Sequence, residues 1–269
     1  MNQYRITVLM GIYNCAPTLV EALNSLVDQT YQGFKVVMCD DGSKDETYSV
    51  AQEFCDNHEN FILISNECNK GLNYTLNHCL EYADTEYIAR MDGDDISLPT
   101  RFEKEIGFLD SHPEYAVVSC PMIYFDEKGE FGRGKCDKKP TKESFIYGTP
   151  HCHAPCMVRK SAMDAVGGYS VSPKLLRVED YHLWMKMYAL GYRGYNLDEC
   201  LYAMRDDRNA VARRTWKGSI NVVRVHLLAC KELNLSIKGY LYSFLPILKR
   251  MLPRQFYTYL HKKRMNSKL

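Results

Sequence analysis

The sequence predicts an α/β fold with a mainly parallel central sheet, flanked by helices and followed by a C-terminal helical extension. Two observations carry this prediction. Short apolar, β-branched segments alternate with segments of helical periodicity, and small, polar or acidic residues follow each of the first four apolar segments. Such alternation is typical of βαβ units, whose strands run parallel beneath their helices.

The first half of the chain contains the clearest elements. The predicted strands are short apolar runs at residues 5–10, 34–39, 61–65, 87–91 and 115–120. The predicted helices have apolar residues spaced three and four apart, at 18–30, 44–57, 72–83 and 99–111. Thr18 and Glu21 form a Thr-x-x-Glu pattern, which predicts a capping box at the first helix.

Beyond residue 120 the alternation is weaker. Residues 122–134 indicate a hairpin with its turn near 126–129. The remaining predicted elements are short helices at 140–147 and 160–167, a strand at 155–159, and a helix from Glu179 that ends at Gly191. We expect one domain over residues 1–230 and a separate tail over 231–269.

Charge is distributed unevenly along the 269 residues. The chain has 34 Lys and Arg against 33 Asp and Glu, a formal net charge of +1, which excludes a globally basic nucleic-acid binder. Residues 231–269, however, carry nine bases and one acid, a net +8, and leave −7 for residues 1–230. Bases mixed with aromatic residues and Leu indicate either a helix lying on an anionic membrane surface or a packing helix with a solvated basic face.

The compartment is inferred from what the sequence lacks. Eleven cysteines are scattered and odd in number, and no apolar stretch reaches the roughly 18–20 residues that span a bilayer. The N-terminus has no signal-peptide pattern. We therefore expect reduced thiols and a cytoplasmic protein, with a peripheral position at the inner face of the cell membrane if the tail binds lipid.

Four successive predicted strands end in residues suited to ligand binding. These segments are Gly11-Ile12-Tyr13-Asn14, Asp40-Asp41-Gly42-Ser43, Asn66 to Gly71, and Asp92-Gly93-Asp94-Asp95. In open parallel sheets ligands bind at the carboxyl ends of the strands. Neither Gly-x-Gly-x-x-Gly nor a P-loop motif occurs, which disfavours dinucleotide oxidoreductases and P-loop ATPases.

Five carboxylates at two of these strand ends would repel one another without a cation. They are Asp40, Asp41, Asp92, Asp94 and Asp95. Mg²⁺ or Mn²⁺ prefers oxygen ligands and leaves positions open for substrate phosphates, so an Asp-x-Asp after a strand predicts a metal–diphosphate site. Any one of these residues alone could instead be a turn former or a helix cap.

In order and spacing, these segments resemble glycosyltransferase family 2. The resemblance extends over roughly residues 4–215 and also includes Gln29-Thr30-Tyr31, Asn69-Lys70-Gly71-Leu72, and Pro99 with Arg101 and Phe102. Members of the family are inverting, metal-dependent enzymes with a GT-A fold, a Rossmann-like sheet, and nucleotide-sugar donors. The resemblance implies a donor half at about 1–120 and an acceptor half at about 121–230.

The resemblance also implies roles for individual residues. The donor site would consist of Gly11, Tyr13, Asn14, Asp40, Asp41, Lys70, Arg90, Asp92 and Gly93. Tyr13 would lie against a uracil ring, Asp41 or its neighbour Asp40 would accept from the base edge, and Asp94 would coordinate Mn²⁺ or Mg²⁺ through the diphosphate.

The acceptor side is implied by a Glu-Asp pair. Glu179 and Asp180 match the family's pair, whose second acid is the catalytic base. An inverting transfer needs such a base and no enzyme nucleophile, although position alone would also suit acids at a helix N-terminus. His153 is either an acceptor contact or a structural histidine. Arg205 stands in a segment where relatives often have Tyr-Arg-x-His; it is a candidate diphosphate contact, and the missing His leaves a third metal ligand open.

These inferences predict a glycosyltransferase that moves one sugar, with a UDP-sugar as the expected donor, to a saccharide or lipid-linked acceptor in bacterial surface polysaccharide assembly. The Gln-x-x-Arg-Trp motif of processive synthases is absent. Two alternatives remain. One is an Asp-dependent phosphohydrolase, although its motif would follow the first strand rather than the fourth. The other is a non-catalytic sugar-nucleotide binder, against which the intact Asp94 and Asp180 argue.

Overall fold

The computed structural model describes residues 3–206 and 215–251, in which a central sheet lies between two layers of helices. The strands, in chain order, are β1 Ile6–Ile12, β2 Phe34–Asp40, β3 Phe61–Ser65, β4 Tyr87–Arg90, β5 Ile96–Ser97, β6 Val117–Ser119, β7 Met122–Asp126, β8 Gly129–Arg133, β9 Met157–Arg159, β10 Gly194–Asn196 and β11 Tyr202–Arg205. The helices are α1 Ala16–Val27, α2 Thr47–Asn57, α3 Leu72–Glu81, α4 Arg101–Ser111, α5 Lys160–Ala165, α6 Glu179–Ala189, α7 Trp216–Glu232, α8 Ile237–Tyr242 and α9 Leu245–Met251, with a 3₁₀ helix at Lys142–Ile146.

The central sheet has seven strands in the order β10-β6-β9-β4-β1-β2-β3. Strand β1 pairs in parallel with β2 and β4, with Ile6 opposite Phe34 and Tyr87. Strand β9 is antiparallel to both of its neighbours, β4 and β6. The predicted donor and acceptor halves therefore share one sheet, and the prediction of a mainly parallel sheet is confirmed.

Two apolar cores lie on opposite faces of this sheet. Alternate side chains of β1 point to opposite faces, so that Leu9 enters one core while Val8 and Met10 enter the other. The first core contains the apolar faces of α3, α6 and α7, including the fully buried Trp184. The second contains those of α1, α2 and α4. The helices thus hold β1, β2 and β4 in register, with their carboxyl ends at one edge.

A smaller sheet covers the region beyond the end of β4. Its strand order is β5-β11-β7-β8, and β7 and β8 form the hairpin predicted over 122–134. Strand β11 pairs with β5 and β7, and it brings Tyr202 and Arg205 back to the acidic segment that follows β4. This return of the chain could not be read from local patterns.

The capping box predicted at Thr18 and Glu21 is wrong. Helix α1 begins at Ala16, with Cys15 as the N-cap and Pro17 in the first turn. The Thr18 hydroxyl donates to the carbonyls of Cys15 and Gly93 instead, at 3.2 and 3.0 Å. A long-range contact therefore takes the group that a local cap would use.

The C-terminal extension is helical as far as it is described. Helix α7 crosses the predicted domain boundary at 230, and Leu233 and Leu235 belong to the first core. Helices α8 and α9 follow, while residues 252–269 of the predicted tail lie outside the described residues. Within the described part of the chain, no helix is long and apolar enough to cross a membrane.

Candidate active site

Two adjoining cavities open at the carboxyl ends of β1, β2 and β4, and they share Gly11 and Tyr13. The larger, of about 400 Å³, is lined by the acidic segment after β4, the β1–α1 loop and Arg205. The smaller, of about 200 Å³, is lined by Tyr13, Asp41, Gly71 and their neighbours. The Tyr13 side chain is 46% exposed, so its ring is accessible to a flat ligand. The structure thus brings together most of the predicted donor residues.

Two glycines allow the backbone to approach its neighbours closely. A Cβ on Gly93 would lie 2.7 Å from the Sγ of Cys15, and one on Gly11 would lie 3.1 Å from Leu72. Since real Cβ atoms do not approach other atoms as closely as 2.7 Å, a side chain at Gly93 would displace the loop that lines the larger cavity.

Asn14 connects the two loops that follow β1 and β2. It adopts the left-handed conformation, with φ of 49°. Its backbone N–H donates to the Ser43 hydroxyl at 3.0 Å, and its side-chain oxygen accepts from the Lys44 N–H at 2.8 Å. Asn14 thus joins the two loops, and it also lines the larger cavity.

The two acids after β2 have different environments. The carboxylate of Asp41 accepts from the Asn66 amide at 2.8 Å and from the backbone N–H groups of Lys70 and Gly71 at 2.8 and 2.9 Å. It therefore orders the loop before α3, and one acceptor position of its Oδ2 remains. One oxygen of Asp40 accepts from the Ser43 N–H, while the other is buried with no hydrogen-bond partner.

Lys70 differs from the other predicted donor residues, because its side chain is exposed and only its backbone is bonded to Asp41. Lys70 is not among the residues that line the two cavities.

The acidic segment after β4 is crowded, as the sequence predicts. Burial, and then the charge of Asp92, raise the pKa of Asp94 above its ordinary value. Burial, followed by Asp92 and Asp94, raises the pKa of Asp95 to about 8, although Asp95 also accepts from the Arg205 N–H at 2.8 Å. Asp92 forms an ion pair with Arg90 at 2.5 Å. Such mutual repulsion is what a bound cation would relieve.

The donor set fits a hard divalent cation held largely by its substrate. The described residues contain no group of three or more His, Cys, Asp or Glu side chains arranged around a common point. Mg²⁺ is commonly bound by one or two carboxylates, with substrate phosphates and water completing its shell. Asp94, which faces the larger cavity, is the residue that could hold such an ion.

Arg205 is held at the edge of the larger cavity by three contacts. Its Nε donates to the carbonyl of Asp94 at 3.0 Å, and its guanidinium forms an ion pair with Glu21 and stacks over Phe125. Local sequence patterns could not reveal the role of Glu21, because its partner is 184 residues away.

Helix α6 presents Glu179 and Asp180 in its first turn. Burial raises the pKa of Asp180, and the Tyr181 N–H, the Arg90 guanidinium and a hydrogen bond from Thr149 act in the opposite direction. The pKa of Glu179 is also raised by burial. A carboxylate with a raised pKa is better suited to accept a proton in a reaction than one at its ordinary value.

Arg90 connects the two groups of acids. It is ion-paired with Asp92, and its charge also stabilises the ionised forms of Asp94, Glu179 and Asp180. Its own Nε is buried without a hydrogen-bond partner. The donor-side and acceptor-side acids predicted from separate motifs therefore lie within the electrostatic reach of one buried guanidinium.

His153 lies beside this group. Its Nε2 is 2.8 Å from the Tyr169 hydroxyl, and burial together with Arg90 keeps its pKa well below the ordinary value. The imidazole is therefore neutral, and its Nε2 shares a hydrogen bond with the Tyr169 hydroxyl. Both an acceptor contact and a structural role are compatible with this environment.

Arg101, which sequence reasoning left without a role, holds this part of the site from behind. It is fully buried, donates to the Arg90 carbonyl at 2.9 Å, pairs with Glu105, and lies over the Tyr202 ring. The Tyr202 hydroxyl in turn accepts from the Asp92 N–H at 3.2 Å. The sequence signal for Arg101 was its place beside Pro99 and Phe102 in the family resemblance, which gave it no role.

The comparisons with known proteins agree with this geometry. Residues 7–167 match the model of the family described as glycosyl transferase family 2. The chain is 40% identical over 266 residues to the putative glycosyltransferase EpsE of Bacillus subtilis, covering 98% of this chain and 96% of that protein. The chain therefore belongs to glycosyltransferase family 2, and it is a glycosyltransferase.

Two further relatives have more specific names. The amylovoran biosynthesis glycosyltransferase AmsE of Erwinia amylovora is 31% identical over 268 residues, covering 96% of this chain and 98% of AmsE. The UDP-Glc:alpha-D-GlcNAc-diphosphoundecaprenol beta-1,3-glucosyltransferase WfaP of Escherichia coli is 27% identical over 193 residues, covering 71% and 73%.

Solved structures identify the fold as GT-A. S. aureus TarS 1–349 in complex with UDP-GlcNAc superposes with a TM-score of 0.72 at 19% identity, covering 93% of this chain and 77% of that one. The mannosyltransferase PcManGT of Pyrobaculum calidifontis, in complex with GDP-Man and Mn²⁺, has a TM-score of 0.67 at 18% identity, covering 97% and 79%.

Proposed function

We propose that this glycosyltransferase transfers one sugar, with inversion, from a UDP-sugar to a hydroxyl of a lipid-linked saccharide during surface polysaccharide biosynthesis, at the inner face of the cell membrane. The observation that carries the proposal is the position of Arg90, whose charge reaches both Asp94 at the donor cavity and Asp180 at the start of α6. The names of WfaP and AmsE support the class of acceptor and the pathway.

The smaller cavity is suited to the nucleoside. The exposed Tyr13 ring offers a stacking surface, and Asp41, whose Oδ2 retains one acceptor position, lines the same cavity. The larger cavity, with Asp94, Arg205 and the Gly93 backbone, suits a sugar diphosphate. When Mn²⁺ or Mg²⁺ is bound, it stabilises the negative charge that develops on the departing diphosphate.

The chain's own residues carry the rest of the reaction. Asp180 accepts the proton of the acceptor hydroxyl while the hydroxyl oxygen bonds to the anomeric carbon and the bond from that carbon to the diphosphate breaks. Arg205, held by Glu21 and by the Asp94 carbonyl, contributes a fixed positive charge on the diphosphate side. Arg90 holds Asp92 by an ion pair, and its charge partly offsets the burial that raises the pKa values of Asp94 and Asp180.

A donor panel tests this proposal. The purified full-length protein is incubated with Mn²⁺ and a series of UDP- and GDP-sugars, and the release of nucleoside diphosphate is measured. We expect release from a UDP-sugar, its loss in EDTA, and a loss of about 100-fold or more in Asp94→Asn. Asp56→Asn, on the exposed face of α2, is the matched control and should behave like the wild type.

Other outcomes would contradict specific parts of the proposal. Release of inorganic phosphate would identify a phosphohydrolase, and saturable donor binding with no turnover by any sugar would identify a non-catalytic binder. Turnover of GDP-sugars alone would refute the UDP-sugar donor. Full activity in EDTA would refute the requirement for a divalent metal ion.

A further inference from the structure

A stripe of exposed apolar side chains runs along α8 and α9. It consists of Ile237, Leu241, Phe244 and Leu248, which are 77, 69, 48 and 55% exposed. Their spacing of four, three and four residues places them within about 60° of one another around a helix of 3.6 residues per turn. This angle is that of one uninterrupted helix; α8 ends at Tyr242 and α9 begins at Leu245, while Ser243 between them keeps helical dihedral angles and the Leu248 N–H donates to the Phe244 carbonyl at 3.1 Å.

The opposite face of the same segment is packed against the protein. Gly239 and Ser243 are buried, and a Cβ at Gly239 would lie 2.9 Å from the Sγ of Cys230 in α7. Because this face of α8 is packed against α7, the opposite face, which carries the stripe, is exposed.

Basic residues lie beside the stripe. Lys238 and Lys249 are exposed and lie about 100° around the helix from it. Including the residues beyond the described part, the segment 231–269 has a net charge of +8. Apolar side chains flanked by Lys and Arg suit the boundary between headgroups and acyl chains of an anionic bilayer, where the apolar residues insert and the bases contact lipid phosphates.

The packed face of α8 connects the stripe to the elements that hold Asp180. Gly239 of α8 lies against Ile146 of the 3₁₀ helix, and the Phe145 carbonyl of that helix accepts from the Tyr181 hydroxyl at 2.8 Å. Tyr181 directly follows Asp180 and stacks on His226 of α7. Three packed contacts thus connect the stripe to the helix that begins with the proposed base.

From these observations we propose that the Ile237–Leu248 stripe docks the enzyme on the surface of an anionic bilayer, with its acceptor side facing the lipid. The orientation deepens the proposed function, because a lipid-linked acceptor would then meet Asp180 from the membrane surface. The docking itself requires neither donor nor acceptor and can be measured separately from transfer.

Vesicle binding tests the docking. The full chain is sedimented with vesicles of phosphatidylcholine alone, and with vesicles that also contain phosphatidylglycerol, an anionic lipid that attracts basic segments. We expect binding to the anionic vesicles only, and at least a tenfold weaker association for the double variant Leu241→Ser with Leu248→Ser. Leu190→Ser, an equally exposed leucine at the end of α6, is the matched control and should bind like the wild type.

The possible outcomes distinguish an anionic bilayer from other occupants of this surface. Wild-type binding by the double variant, with loss of binding only on removal of residues 252–269, would assign the docking to the end of the chain and overturn the proposal. Concentration-dependent self-association that the double variant abolishes, without vesicle binding, would assign the stripe to a second copy. The wild type and the double variant must have equal thermal unfolding midpoints, so that a loss of binding does not reflect a loss of folding. Leu241→Trp gives a second readout, because the emission of the new tryptophan should shift to shorter wavelength on anionic vesicles.

Failure of docking and failure of the proposed function can be distinguished. If docking is wrong but the transferase proposal holds, the donor panel still releases nucleoside diphosphate from the wild type and the double variant at equal rates. If the transferase proposal fails, vesicle binding and its loss in the double variant are unaffected.

Discussion

At some positions of this protein, close contacts with neighbouring atoms limit which residue can be accommodated, and the amino-acid composition cannot reveal these contacts. Gly93 stands between two acids of the donor cavity, and its Cα hydrogen faces the Sγ of Cys15. The sequence predicted Gly93 as a donor residue by resemblance. The structure adds a physical reason, because only a residue without a Cβ leaves the loop after β1 in place.

Gly93→Ala should lower the free energy of unfolding by about 1–3 kcal/mol, the usual cost of overpacking a tight site. Adding Cys15→Ala should recover most of that loss, since it removes the sulfur that the new methyl group meets. Gly107→Ala is the control, because nothing lies within 4 Å of its Cβ position in α4 and alanine favours a helix. Urea unfolding checks all three. A double variant no more stable than Gly93→Ala would show that Cys15 is not the obstacle.

The buried His151 makes the stability of the protein depend on pH. His151 is buried, its Nδ1 is 2.8 Å from the Asn196 side-chain oxygen, and burial lowers its pKa to about 4 from an ordinary 6.5. The Asn196 amide nitrogen already donates to two carbonyls, so its oxygen is the acceptor and Nδ1 carries the proton of a neutral ring. The unfolded chain therefore binds a proton more readily than the folded one between pH 6.5 and 4.

His151 should make the protein less stable as the pH falls through this window. Lowering the pH from 7.5 to 5 should remove about 2 kcal/mol through this residue alone. His151→Gln, which cannot be protonated, should show a correspondingly smaller difference between urea unfolding at the two pH values. The same pH difference in wild type and variant would mean that His151 is not buried in its neutral form.

At the scale of elements, the contact between α4 and the end of β4 fixes the geometry of the acidic segment. Arg101 and Glu105 are completely buried and paired at 3.2 Å, and Arg101 also donates to the Arg90 carbonyl. A buried pair is weak evidence for net stability, but removing one partner leaves the other charge uncompensated. The pair therefore couples helix packing to the position of Arg90.

Arg101→Leu should destabilise the protein by about 3–5 kcal/mol, because Glu105 would be left buried without its partner. Arg5 is the matched control. It pairs with Glu86 and Asp110 while 41% exposed, so Arg5→Leu should cost no more than about 1 kcal/mol. Chemical denaturation of both variants provides the comparison, and equal losses would show that the Arg101 pair is no more important than a surface one.

The elements also show how far the sequence could be interpreted. Predicted strands and helices in the first half of the chain agree with β1–β4, β6 and α1–α4 to within a few residues, because their apolar periodicity directly reflects burial. The antiparallel insertion of β9 could not be predicted, since a buried three-residue strand looks the same in either direction. The capping box failed because Thr18 and Glu21 are bonded to Gly93 and Arg205, both distant in sequence.

The residues of the candidate site also differ in whether the sequence could predict them. Asp94, Tyr13 and Gly11 could be predicted as site residues because they follow strand ends, where ligands bind in α/β sheets, and Asp180 because it matches the Glu-Asp pair of the family. Arg101 and Tyr202 were given no role, and Glu21 was assigned to a capping box, because what these supporting residues do depends on contacts between segments far apart in the chain. Local patterns identify the residues that line a site more readily than those that hold it in place.

At the scale of the whole molecule, the near-zero net charge conceals two regions of opposite sign. The body has −7 and contains crowded carboxylates whose pKa values are raised, while the segment 231–269 has +8. An acidic donor site requires a cation to receive a diphosphate, and a basic, apolar surface suits an anionic bilayer. The division of charge thus agrees with the two proposals, a metal ion at the donor site and an anionic bilayer against the C-terminal segment.

The central claim is that donor binding and proton transfer belong to different groups of acids joined by Arg90. The most direct measurement compares Asp180→Asn with the wild type, using calorimetric binding of UDP with Mn²⁺ and the rate of nucleoside diphosphate release. We predict an unchanged Kd and a rate reduced by about 10²–10⁴, the usual contribution of a general base. Release at the wild-type rate by a folded Asp180→Asn, or loss of UDP binding together with the rate, would contradict the assignment of Asp180 as the base.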